Sequence, residues 1–210
     1  AYDPWEPFNR KVHGFNNAFE SASRALALIS SDVHFGGVPI LFSWPSDGAA
    51  TRYGSDEEEV RASRDNFLKF VDKVSRTAGV ERLHVAAHSM GNRLILEAID
   101  RFDGSSPDGK AKLFHHAVMA APDVYVNIFK TASPAFQRRT TRVTIYASNK
   151  DTALLCSRKV HGGNRRLGEA GPDIFVASGL ETIDATEAEP TAPFLSTDRW
   201  PALGWITSPC

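Results

Sequence analysis

Residues 83 to 98, LHVAAHSMGNRLILEA, constrain this chain more than any other stretch. An apolar run ends at Ala87, a serine follows at Ser89, and Gly91 opens a pattern in which Leu94, Ile95 and Ala98 share one helical face. The pattern predicts a strand over 83–87, a sharp turn, and a helix over 90–99. Such a turn lifts a serine hydroxyl above the end of a sheet. Small residues are wanted beside it because strand and helix approach closely there. In the pattern G-x-S-x-G, Ala87 stands where the first glycine would be.

Around this motif short apolar runs alternate with helical patterns. Residues 38–44, VPILFSW, suit a buried parallel strand closed by Pro45. A helix is expected from Ser55, which has Glu58 at capping-box spacing and negative charge at 56–59 in the first turn; Gly79 ends it. Further strands are expected over 114–120, 142–147 and 173–176. Residues 121–140 read as a mixed segment, in which Val124, Val126, Ile128 and Phe129 either line an apolar entrance or belong to the core. Residues 1–12 carry Pro4, Pro7 and several charges and make a poor strand. The alternation argues for an α/β layered domain.

Bulk properties remove several function classes. The chain has 210 residues and a formal charge of −1, so nothing favours a nucleic-acid partner, which wants a basic face. No apolar run reaches the roughly 18 residues of a membrane span, so no integral membrane segment is expected. The opening AYDPWEPFNR is not a secretory signal. Cys156 and Cys210 could pair, but two free thiols are the plainer reading, which favours the cytoplasm, with an exported or envelope-associated protein as the alternative. No dinucleotide fingerprint, phosphate loop or metal-ligand spacing occurs, so neither cofactor nor metal is expected. Oligomeric state leaves no sign in the sequence.

A serine hydroxyl is a poor nucleophile at neutral pH. It needs a base, an acid to orient the base, and N–H groups aimed at the developing oxyanion. The loop His13-Gly14-Phe15-Asn16-Asn17 offers the last, with the N–H groups of Phe15 and Met90 as the oxyanion pair. Asp151, in the loop SNKD beyond a strand, is the acid candidate; the plainer reading is a turn residue capping the next helix. Asp123, in AAPDV, is the runner-up, with ordering of its loop as its main role. Downstream of Asp151 the only histidine is His161, ten residues on, which makes it a weak base candidate. His88 reads as a packing residue, and His115 and His116 point to opposite faces of a strand.

HGFNNAFE, VPILFSWPSDG, GVERLHVAAHSMGNRLILEAI, AAPDV and the run from YASNKDTALLCSRKVHGG to ETIDA resemble an uncharacterised bacterial α/β-hydrolase family, whose members are described as esterase- or lipase-like. The resemblance implies a mostly parallel sheet with helices on both faces, Ser89 as nucleophile, Asp151 as acid, an oxyanion contribution from HGFNN, and a small-molecule ester or acyl substrate. It divides the chain into an atypical opening (1–12), an α/β-hydrolase domain (13–195) and an atypical tail (196–210). The opening is similar to the start of a phospholipid-transport lipoprotein, and the strand expected before the HG loop is truncated. After Phe194-Leu195, Thr197 occupies the position where the resemblance puts the catalytic histidine. Two expectations follow: a serine hydrolase lacking its usual base, or an inactive α/β-hydrolase-fold domain with a structural or binding role.

Overall fold

The computed structural model of the protein describes residues 9–14, 19–34, 36–46, 53–101 and 112–188. They form a six-stranded sheet in which every pair is parallel, in the order β2-β1-β3-β4-β5-β6. The strands are β1 Asn9–Val12, β2 Ile40–Phe42, β3 His84–His88, β4 Phe114–Ala120, β5 Thr140–Ala147 and β6 Glu181–Asp184. The helices are α1 Phe19–Asp32, α2 Tyr53–Ala62, α3 Arg64–Ser75, α4 Gly91–Arg101, α5 Val126–Arg139 and α6 Thr152–Val160.

Helices cover both faces of the sheet. Alternate residues of a strand point to opposite sides, and the core divides accordingly. Val85 and Ala87 of β3, with Ala117 and Met119 of β4, face Phe67 and Val71 of α3, Leu94 and Ile95 of α4, and Phe129 and Phe136 of α5. Ala86 and Val118 face the other way, against Ile29 of α1. On α1 the buried residues Ala22, Ala25, Leu26 and Ile29 recur at helical spacing. The second face is more polar. There His116 Nε2 lies 2.9 Å from Thr144 Oγ1, and Thr144 Oγ1 donates to Glu181 at 2.7 Å. Burial, then the charge of Arg142, pushes His116 down to about 4.

The strand order locates the site. From β1 the chain crosses to β2 on one side, then returns past β1 to β3 and proceeds outward through β4, β5 and β6. The direction of winding therefore reverses between β1 and β3. In open parallel sheets, ligands bind in the crevice at the carboxyl ends of the two strands that flank such a reversal.

Several expectations are corrected. Residues 9–12 form an interior strand, paired with β2 on one side and β3 on the other. Only four residues are needed, and they lie beyond Pro4 and Pro7, so each has its N–H for the ladder. The N-terminal side of the sheet is nonetheless short, three and four residues in β2 and β1 against seven and eight in β4 and β5. The helix expected from Ser55 begins at Tyr53 and divides at Ser63, so Ser55 lies inside α2. Residues 173–176 are not a strand; the sixth strand is β6. The mixed segment is α5, with Pro134 inside it. Val124, Val126 and Phe129 are core, whereas Ile128 is exposed. Cys156 is disulfide-bonded, so the free thiol expected there is absent. Among the described residues, no helix is long and apolar enough to cross a membrane and no group of ligands could hold a metal ion.

Candidate active site

Ser89 follows β3 directly, and its φ is 48°, in the left-handed region that a side chain normally avoids. Such a conformation costs about 1–2 kcal/mol and persists only where the surroundings impose it. Here they do. Ser89 N–H donates to Ala120 O at 3.0 Å, which ties the turn to the end of β4. The Ser89 carbonyl accepts from the N–H groups of Asn92 and Asp123, both at 3.2 Å, and from Asn92 Nδ2 at 3.0 Å. The Asn92 amide, fully buried, also reaches Ala120 O at 3.3 Å. From Leu83 to Asn92 every residue is buried except Ser89. The kink thus presents a single reachable side chain.

Two glycines let the loop after β1 interlock with this turn. A Cβ on Gly14 would stand 2.7 Å from His88 Nδ1 and 2.9 Å from Ser89 Cβ. A Cβ on Gly91 would stand 2.5 Å from His13 O. Only bare backbone fits at either position. His13 is fully buried and held by the end of β2. Trp44 N–H donates to His13 Nε2 at 3.1 Å, Trp44 Nε1 donates to His13 O at 2.9 Å, and the two rings stack 5.0 Å apart. Because Nε2 accepts, the ring proton sits on Nδ1, which faces Gly14 O at 3.0 Å. The HG pair is thus a docking device for the loop that leads to Phe15. Phe15 itself lies outside the described residues, as do Phe194, Leu195 and Thr197. Met90 is fully buried at the start of α4, and its N–H makes no backbone hydrogen bond to a described residue.

Asp151 ends the loop after β5, at the same edge of the sheet as Ser89. It is buried, and its Oδ1 accepts from Leu154 N–H at 3.0 Å as the N-cap of α6. Burial pushes its carboxyl up to about 6, with the charges of Asp123 and Glu169 adding to the rise and the backbone N–H groups of Leu154 and Ala153 opposing it. The capping role and a buried acid therefore coexist in one residue.

His161 is the C-cap of α6. Its Nδ1 lies 2.7 Å from Ser157 O and its Nε2 lies 3.0 Å from Glu57 Oε1. Among the described residues no hydrogen bond joins it to Ser89 or to Asp151. It belongs instead to a buried ionic cluster behind the turn. Asp123 is the hub of that cluster: Tyr53 OH and Ser157 OH donate to its carboxylate, the latter at 2.6 Å, and Arg93 and Arg166 each approach it to 3.3 Å. Arg93 Nε also donates to Asp123 O at 2.8 Å, and Arg93 pairs with Glu57. Burial opposes the charge on Glu57, but the hydrogen bond and charge of Arg93, followed by His161, outweigh it and hold the carboxyl below its ordinary value. Burial and then the Asp123 charge push the Tyr53 phenol up. The loop 121–124 is thereby fixed, and its Asp123 N–H is one of the donors that hold the Ser89 carbonyl.

Sequence reasoning overlooked Asn92 and Arg93. The signal was present: three and four residues past Ser89, a polar pair opens a helix that continues with the apolar run Leu94-Ile95-Leu96. Tyr53, Glu57, Ser157 and Arg166 gave no such sign, because their partners lie far away in sequence.

A parallel sheet with helices on both faces, a reversal of winding, and a left-handed serine at its crevice define an α/β-hydrolase fold. More narrowly, the chain belongs to the family of α/β hydrolases of unknown function designated DUF900, whose profile matches residues 11–199. No curated protein matches it.

Proposed function

We propose that the protein is a serine hydrolase acting on an ester or related acyl substrate. One observation supports this above the others: a strained, half-exposed serine at the crevice where strand order reverses, with its neighbours buried. In this reading Ser89 Oγ attacks the substrate carbonyl carbon while its proton passes to a base. The N–H groups of Met90 and Phe15 stabilise the oxyanion. The alcohol leaves with a proton, and water then releases the acid from the acyl-enzyme. Asp151 serves as the orienting acid.

The base is the weak step. All seven histidines lie at or before His161, and His161 is engaged by Glu57 and Ser157. Slow turnover is therefore expected, sustained by the oxyanion site and binding. The second reading, an inactive hydrolase-fold domain with a structural or binding role, draws support from the same engagement of His161. Labelling with a fluorophosphonate separates the two. Covalent modification of the wild-type chain at Ser89, lost in Ser89→Ala and accelerated in Thr197→His, is the expected result. Absence of labelling in both the wild type and Thr197→His would leave the inactive reading.

A further inference from the structure

Beside the turn, and not lined by Ser89, lies a cavity of about 270 Å³ between α2, α4, the start of α5 and the loop after α6. One wall is apolar, made by Leu96, Val124 and the exposed side chain of Ile128. Arg61, Arg93 and Arg166, with Asn164 and His161, also line the cavity. Glu57 and Glu97 also line it. Both carboxylates are already matched, Glu57 by Arg93 and His161, and Glu97 by Arg64 at 3.2 Å. Asp123 takes Arg93 and Arg166.

One cationic group remains under-used. Arg61 pairs with no carboxylate among the described residues. Arg166, only 4% exposed, also lines the cavity; its Nε is turned to Asp123 Oδ1 at 3.3 Å and a terminal nitrogen donates to Ser157 O at 3.5 Å. A guanidinium fork fits a carboxylate in two-point fashion. A neighbouring groove of about 330 Å³ along α4 and α5 shares Leu96, Glu97 and Ile128 with it and is also lined by Asp100, Thr131 and Ala132. The groove offers an apolar floor to a short chain and, at its far end, an acidic residue that would repel a second negative charge.

We propose that this cavity binds a small aliphatic monocarboxylate, with the carboxylate at Arg61, Arg166 and Asn164 and the chain along Leu96 and Ile128. The site does not depend on Ser89 as a nucleophile. Calorimetric titration of the full chain with hexanoate, hexanol, hexylamine and adipate tests it. Hexanoate is expected to bind with Kd of about 1 mM or tighter. Hexanol, hexylamine and adipate should be weaker by at least about tenfold, the loss expected of one charge-assisted hydrogen bond. Arg61→Gln, at an exposed position that folding tolerates, should weaken hexanoate by about tenfold, and Ile128→Glu should abolish binding. Ser89→Ala should bind as the wild type does. Equal binding of hexanol, unchanged affinity in Arg61→Gln, or no heat with hexanoate at about 20 mM, some twentyfold above the expected Kd, overturns the proposal. Loss of binding in Ser89→Ala would assign the ligand to the nucleophile's rim and overturn it as well. The fluorophosphonate result stands apart from all of these outcomes.

Discussion

Ser89 and Ala121 end neighbouring strands in nearly the same backbone conformation, with φ of 48° and 42°. Each N–H reaches the next strand, Ser89 to Ala120 O at 3.0 Å and Ala121 to Tyr146 O at 2.9 Å. Each is pressed by a glycine with no room for a side chain: a Cβ on Gly14 would stand 2.9 Å from Ser89 Cβ, and one on Gly168 would stand 2.6 Å from the Ala121 carbonyl carbon. Beyond the kink the two part company. Ala121 is buried and leads through Pro122 to Asp123 and the ionic cluster, whereas Ser89 keeps a reachable hydroxyl and leads into α4. A left-handed kink at a strand end is therefore a product of the sheet's crowding. It becomes a candidate for chemistry only where a nucleophilic atom and an opening coincide with it.

Gly91, which packs the Ser89 turn against the loop after β1, and Gly168 give the severest test of that equivalence. Gly91→Ala and Gly168→Ala each force a methyl onto backbone atoms at 2.5–2.7 Å, and each should destabilise by about 3 kcal/mol in urea unfolding. If Gly168→Ala proves harmless, the Ala121 turn is not held as the Ser89 turn is.

Titration separates two groups with opposite signs. His116 has a folded value of about 4, below its ordinary 6.5, so the unfolded chain binds more protons between those limits and stability falls as pH drops from 6.5 to 4. Asp151 has a folded value of about 6, above its ordinary 3.8, so the folded chain binds more protons there and stability is lost as pH rises from 3.8 to 6. Each contributes on the order of 3 kcal/mol over its window. In the wild type they offset. Asp151→Asn, which retains a capping side chain, should steepen the acid loss between pH 6 and 4, and His116→Gln should reverse it; parallel profiles for all three proteins would refute the assignment.

Smaller effects sharpen the contrast between the turns. Asn92→Ala removes the amide that spans the Ser89 and Ala120 carbonyls. Both oxygens keep other donors, so the loss should be about 1 kcal/mol, with faster exchange of the Ser89 amide than of Val85. Ser89→Gly relieves the left-handed strain and should stabilise by about 1 kcal/mol. Ala121→Gly relieves the same strain but gives up a buried methyl worth about 0.8 kcal/mol, so thermal melting should show little change.

How far each element was legible in the sequence depends on where its information resides. Strand β4 lies where it is expected, residue for residue, because all of it but His115 is buried. The turn at Ser89 was legible because small residues and a helical pattern succeed one another locally. Strand β1 was not: its place in the sheet comes from pairing with β2 and β3, and the residues NRKV carry little pattern of their own. Strand β6 hid for a related reason, being an edge strand of half-exposed residues. Helix α5 was obscured by Pro134, a residue that ordinarily ends helices. At the site, Ser89 and Asp151 were named from strand ends. Beyond Asp123 itself and the polar pair Asn92-Arg93 the cluster left no sign, because Tyr53, Ser157 and Arg166 join it only after the sheet has formed.

The interior position of β1 also bears on the order of events during folding. Asn9 pairs with His84 and Val12 with Ala87, so the ladder that sets Gly14 against the serine closes a very long loop, a slow step on topological grounds. The β3–α4 unit can form from nearby residues well before that closure. The hydroxyl should therefore gain its surroundings late, and a refolding chain should regain helical signal first and the docked His13–Trp44 pair last.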